Sequence, residues 1–144
     1  MNILVVGGGG REHAIARSLS KSPLTTKLVV APGNPGIETF AQCYPVAADD
    51  IQGQCKLAID IEADFVFIGP EIPLVLGLKD ELLKLGINAF GPSKKAAQLE
   101  GSKTFSRKFC IRHNIPQPEF KYCTDVETAK KQIELLNGYC VVKA

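Results

Sequence analysis

Residues 5–13 read Val-Val-Gly-Gly-Gly-Gly-Arg-Glu-His, a glycine run set between an apolar stretch and a helical pattern. Such a turn exposes backbone amides at a helix N-terminus, where the helix dipole favours an anion. The dinucleotide fingerprint, counted from Gly7, requires glycine at positions 7, 9 and 12 and an acidic residue closing the next strand. Position 12 is Glu12, and the next apolar stretch closes with Ala31-Pro32-Gly33-Asn34, which carries no acid. Both tests fail, so a nicotinamide or flavin cofactor is disfavoured, while the phosphate of a smaller ligand is still admitted. A tight turn with no ligand is the plainer alternative. No GxxxxGK[ST] string occurs, which excludes a P-loop.

Other residues of the same kind follow the apolar stretches. Gly8, Gly9 and Gly10 supply the amides, and Arg11 offers a planar fork for phosphate or carboxylate. Glu12 suits the positive end of a helix dipole, and His13 at a helix start reads as a packing or capping group. Asn34 and Gly36 lie in a Pro-Gly-Asn-Pro-Gly turn, where an amide could meet a sugar hydroxyl or simply shape the loop. Gly69-Pro70-Glu71 places a carboxylate after a strand, suited to vicinal hydroxyls or an amine, or to a helix start. Lys103 follows Gly-Ser, and Lys143 ends the apolar string Tyr139-Cys140-Val141-Val142. A charge on a strand that buried needs a partner, and nucleotide phosphates would be one.

These residues need elements to position them. Residues 2–6, 27–31, 43–47, 65–68 and 87–90 read as short strands. Helices are predicted over residues 11–20, from an Asp49 or Asp50 cap to 63, and over 74–85. Alternating strands and helices of this kind form βαβ units on a parallel sheet, giving a doubly wound, Rossmann-like α/β fold. Ligands then bind beyond the carboxyl ends of the strands, at the topological switch point. The loops at residues 7–11, 32–36 and 69–73 all fall on that edge. After Ser93 come a helix over 94–99, a basic helix over 103–113 and a strand over 119–123. A helix then starts at a Thr124–Glu127 capping box, closes at Asn137-Gly138 and is followed by a strand over 139–143.

Composition narrows the function further. The chain has 144 residues, 45% of them hydrophobic and 22% charged, which is the balance of a globular protein. Its 17 Lys and Arg against 15 Asp and Glu give a net charge of +2, too small for a nucleic-acid footprint or a polybasic membrane patch. No apolar stretch has a membrane-spanning length, and residues 1–10 lack the pattern of a signal peptide. The 5 cysteines are odd in number and irregular in spacing, which points to reduced cytoplasmic thiols and not to a disulfide framework or zinc site.

Four segments carry a resemblance: residues 7–16, the turn at 32–36, residues 64–77 and residues 90–103. In this order they resemble phosphoribosylamine–glycine ligase, an ATP-grasp family of purine biosynthesis, and Val141-Val142-Lys143-Ala144 resembles the family's nucleotide-binding strand. Gly8 falls where the family varies, and residues 115–118 (Ile-Pro-Gln-Pro) depart from its pattern. The resemblance implies an enzyme that joins glycine to 5-phosphoribosylamine. ATP is converted to ADP and phosphate through glycyl phosphate. It further implies a substrate-binding domain over residues 1–100 and the incomplete beginning of an ATP-grasp domain over 101–144. By position, the amides of Gly8, Gly9 and Gly10 face the substrate phosphate with Arg11, and Gly36, Gly69 and Pro70 shape the site. Asn34 and Glu71 contact the ribose or amine, and Lys103 and Lys143 touch ATP phosphates. The Mg²⁺ or Mn²⁺ ligands of such an enzyme are expected beyond this chain, which is therefore expected to be an inactive piece of a cytoplasmic, monomeric enzyme. The competing readings are a stand-alone sugar-phosphate-binding module, the leading domain of another ATP-grasp enzyme, and an NAD-binding domain.

Overall fold

The computed structural model describes residues 1–143. Ala144, the last residue of the Val-Val-Lys-Ala string, lies outside them. The chain divides into two compact units, Met1–Ser102 and a second that begins at Lys103.

The first unit is built on β1 (Asn2–Gly7), β2 (Lys27–Pro32), β3 (Gln42–Cys43), β4 (Phe65–Ile68) and β5 (Asn88–Phe90). All pairings are parallel, and the strand order is β3-β2-β1-β4-β5. β1 is central, with Ile3 opposite Leu28 on one side and Phe65 on the other. The apolar runs alternate faces with the period of 2 that a strand imposes. Leu4, Val6, Val29, Val66 and Ile68 join one core, and Ile3, Val5 and Val30 join the other. Both faces are buried, as a parallel sheet requires.

Helix α1 (Gly10–Leu19) covers one face through Ala16 and Leu19. Helices α2 (Ile51–Asp60), α3 (Glu71–Leu76), α4 (Leu78–Lys84) and α5 (Lys94–Gly101) supply Leu57, Ala58, Leu74, Leu78, Leu82 and Ala97 to the other. Asp50 caps α2, accepting the Gly53 N–H at 2.9 Å.

Several boundaries differ from expectation for local reasons. β3 stops at Cys43 and does not reach 47, because Pro45 has no N–H to extend a ladder. α2 ends at Asp60: Glu62 turns left-handed (φ 53°) and Ala63 N–H bonds back to Ala58 O at 2.9 Å. The single helix expected over 74–85 begins at Glu71 and is two helices. Gly77 separates them at φ 103°, donating its N–H to Pro73 O at 3.0 Å.

The second unit contains α6 (Lys103–Arg112) and α7 (Val126–Leu135). Gln117 ties the segment after α6 back onto it, accepting from Arg107 Nη1 at 3.2 Å and donating to Arg107 O at 3.1 Å. Asp125, and not Thr124, caps α7; its carboxylate accepts the Thr128 N–H at 2.7 Å and the Thr128 hydroxyl at 2.8 Å. Both bonds hold the Asp125 carboxyl below its usual range. Residues 119–123 and 139–143 form no strands, since among the described residues of this unit there is no ladder for them to join. Instead Lys108 lies over the Tyr122 ring at 5.2 Å, and Val141 and Val142 are 80% and 74% exposed.

Candidate functional site

In this strand order the chain leaves β1 in one direction and β4 in the other, so the switch point lies between their carboxyl ends. The loops there are short. Gly7, Gly8 and Gly9 lead from β1 into α1, and Gly69 and Pro70 lead from β4 into α3. On the other side of β1, Gly33, Asn34, Pro35 and Gly36 follow β2.

The loops are tied to one another. Asn34 Nδ2 donates to Gly8 O at 2.9 Å, and Asn34 Oδ1 accepts the Ile37 N–H at 3.0 Å. Gly33 N–H donates to Gly7 O at 3.2 Å. Arg11 Nη1 donates to Gly69 O at 3.0 Å, which bridges the β1 and β4 loops across the switch point. The predicted residues Gly8, Gly9, Gly10, Arg11, Asn34, Gly36, Gly69, Pro70 and Glu71 therefore occupy one sheet edge. Asn34 has both ends of its amide engaged in loop structure. Glu71 is exposed as the first residue of α3.

Glu12 organises this edge. It is only 5% exposed, and its Oε2 accepts the Gly9 N–H at 2.7 Å. A Cβ on Gly69 would stand 2.3 Å from Glu12 Oε1, and one on Gly7 would stand 2.7 Å from Glu12 Cγ. Gly7, Gly9 and Gly69 are thus glycines that make room for one glutamate. Gly8 is required by a different neighbour, since a Cβ there would lie 2.3 Å from Gly33 O. Gly10 alone in the run has nothing within 4 Å of its Cβ position. Glu12 takes the N–H of the N-cap Gly9, and Gly9 has no side chain with which to take the amides that follow it in α1. Exposed helix amides that no side chain caps are what an anion needs.

Residues around the edge have supporting roles. His13 packs edge-on against Phe40 at 5.5 Å, and Arg17 lies over the same ring at 5.1 Å. The Cys43 thiol sits beneath Gly33, and burial pushes its pKa up. The buried Gln54 donates to Val46 O at 3.2 Å and Ala47 O at 3.0 Å, supporting the chain beyond β3. The importance of Glu12 and Gln54 was not visible in residue type or spacing. The one signal was that Glu12 breaks the dinucleotide pattern.

Lys103 opens α6, and both it and Lys143 are exposed in the second unit. Lys143 does not end a buried strand, which corrects the expectation drawn from its apolar neighbours. Among the described residues, no group of 3 or more His, Cys, Asp or Glu could hold a metal ion. No helix of the described residues is long and apolar enough to cross a membrane.

Comparison with known proteins separates the readings that geometry leaves open. A solved biotin carboxylase domain of a single-chain bacterial carboxylase matches with a TM-score of 0.69 at 14% identity, over 96% of this chain and 35% of that one. The phosphoribosylamine–glycine ligase of Thermotoga maritima matches with a TM-score of 0.67 at 24% identity, over 94% of this chain and 30% of that one. Both show the shared fold alone. The sequence is more selective: the phosphoribosylamine–glycine ligase of Caulobacter vibrioides is 46% identical over 144 residues, all of this chain and 34% of the relative's length. The chain thus spans about a third of the length of the curated relatives it matches. The family model for the phosphoribosylglycinamide synthetase N domain matches residues 1–100, and the chain belongs to that family.

Proposed function

We propose that this chain is the N-terminal part of an ATP-dependent ligase that joins glycine to 5-phosphoribosylamine, and that its first unit holds the phosphoribosylamine. One observation carries the reading of the site: at the switch point α1 opens on the exposed residues Gly10 and Arg11, whose amides receive no bond from an N-cap side chain. A terminal phosphate there would meet the positive end of α1 and the remaining N–H groups of Arg11. The exposed Glu71 carboxylate is proposed to receive the ribose hydroxyls or the amine. Asn34 is proposed to act mainly by holding the β1 and β2 loops together.

Lys103 and Lys143 are proposed to meet ATP phosphates, offsetting polyphosphate charge without covalent chemistry. The divalent metal that accompanies such a nucleotide is proposed to find its ligands outside these residues. The same reading makes the enzyme a cytoplasmic monomer of purine biosynthesis acting on small molecules.

Amide chemical shifts followed by NMR during titration with ribose 5-phosphate test the site. Shifts centred on Gly10, Arg11 and Gly69 are expected. A titration that leaves these amides unmoved, or moves only residues elsewhere, refutes the assignment.

A further inference from the structure

We propose that the β4–β5 half of the sheet face beneath α1 is the seat of an apolar-faced helix from the part of the protein that lies beyond residue 144. The inference rests on the reading above that this chain is the N-terminal part of a longer ligase. A parallel sheet is covered on both faces. Here the cover holds around β1 and stops short at one corner. α2, α3, α4 and α5 share one face with Leu4, Val66 and Ile68. α1 lies on the other face and packs against β1 and β2. Among the described residues of the first unit, no helix lies over β4 and β5 on that second face.

The strand period of 2 fixes which side chains are left uncovered. Val66 and Ile68 are buried on the covered side of β4. Phe65 and Phe67 alternate onto the open side and are half-buried. Phe90 stands opposite Phe67 in the register and is 58% exposed. The Phe67 and Phe90 rings stack at 5.0 Å with their planes 10° apart, which makes an apolar floor two strands wide. Size then selects the occupant. Two strands spaced about 4.8 Å apart match the roughly 10 Å diameter of one helix. Three phenylalanines carry about 600 Å² of surface in all, below the roughly 800 Å² per partner of a stable dimer, and of the three only Phe90 is exposed. The floor is thus too small for a second copy of the chain and suits a single helix. The chain spans about a third of the length of its curated relatives, and a ligase of that length has ample further chain to supply one.

Photo-cross-linking of the full-length protein carrying Phe90→p-benzoylphenylalanine identifies the occupant, and hydroxyl-radical footprinting of the wild type measures its cover. Cross-links are expected to a stretch beyond residue 144 whose apolar residues recur with helical spacing. Oxidation of Phe90 is expected to fall at least about fivefold from the 144-residue chain to the full-length protein, the change from 58% exposure to that of a core side chain. Cross-links between two copies, to residues within 1–144, or to a stretch without helical spacing overturn the inference. Equal oxidation of Phe90 in the two proteins also overturns it, with no substitution involved. Neither measurement depends on ligation. A full-length protein that gives both expected results yet does not join glycine to 5-phosphoribosylamine refutes the functional reading and leaves the helix seat standing.

Discussion

Replacing Asn34 by alanine separates a positioning role from direct contact with ligand. The amide makes two bonds, to Gly8 O at 2.9 Å and from Ile37 N–H at 3.0 Å, both partly buried. Each neutral bond contributes about 1 kcal/mol net, so Asn34→Ala costs about 2 kcal/mol. A unit of about 100 residues loses about 4 °C of melting temperature per kcal/mol, which predicts a fall of about 8 °C. The Gly33 N–H to Gly7 O bond at 3.2 Å survives, so the loops stay joined and ribose 5-phosphate affinity falls only about threefold to tenfold. Asn34→Asp keeps the acceptor for Ile37 but turns a donor toward Gly8 O into a repelling oxygen, and weakens anion binding more. Thermal unfolding by circular dichroism, paired with calorimetric titration, measures both quantities. An alanine variant that melts within about 1 °C of wild type yet loses all binding would refute the positioning role and make Asn34 a ligand contact.

Gly10→Ala meets empty space within the first turn of α1, so it is expected to raise stability by up to about 1 kcal/mol while weakening ribose 5-phosphate binding. A denaturant midpoint that rises without loss of affinity would clear Gly10 of any ligand role. Gly69→Ala forces a methyl against the buried Glu12 and should cost about 1–3 kcal/mol. A double-mutant cycle with Glu12→Ala should show positive coupling between the pair, and additive costs would mean that the wedge is not what makes Gly69 necessary. The depressed Asp125 carboxyl stabilises α7 fully above the ordinary carboxylate range, and that stabilisation disappears as pH falls through its lower folded value. Amide exchange at Thr128 should accelerate only in that acid window, whereas loss of protection near neutral pH would contradict it.

Much of the first unit was legible because its signals are local. The run from Phe65 to Ile68 matched its strand residue for residue, since a short apolar stretch bounded by Asp64 and Gly69-Pro70 leaves few alternatives. The loops could be assigned to one edge because parallel βαβ units place every such turn at the strands' carboxyl ends. What escaped the reading depends on contacts between distant residues. Glu12 looks like an ordinary helix-start acid until Gly69, far along the chain, is seen to close over it. Gly77 lies inside an apolar periodicity that suits one helix, and only its left-handed φ of 103° divides the segment. The strands expected at 119–123 and 139–143 failed for a different reason. A sequence pattern can favour an extended backbone, but a ladder needs a neighbour, and the described residues of the second unit provide none.

The central place of β1 has a consequence for synthesis. It precedes the other four strands of the sheet in the chain, yet it carries the pairing of both halves. Its β2 partner emerges early, whereas Phe65, opposite Ile3, follows about 60 residues later, or about 3–12 s at ordinary translation rates. Through that interval one edge of β1 presents unsatisfied backbone groups to whatever is nearby. The switch point therefore closes only once β4 has arrived, with β5 still to be added beyond it, so the ligand edge takes shape only after the strand that anchors it has waited with one side open.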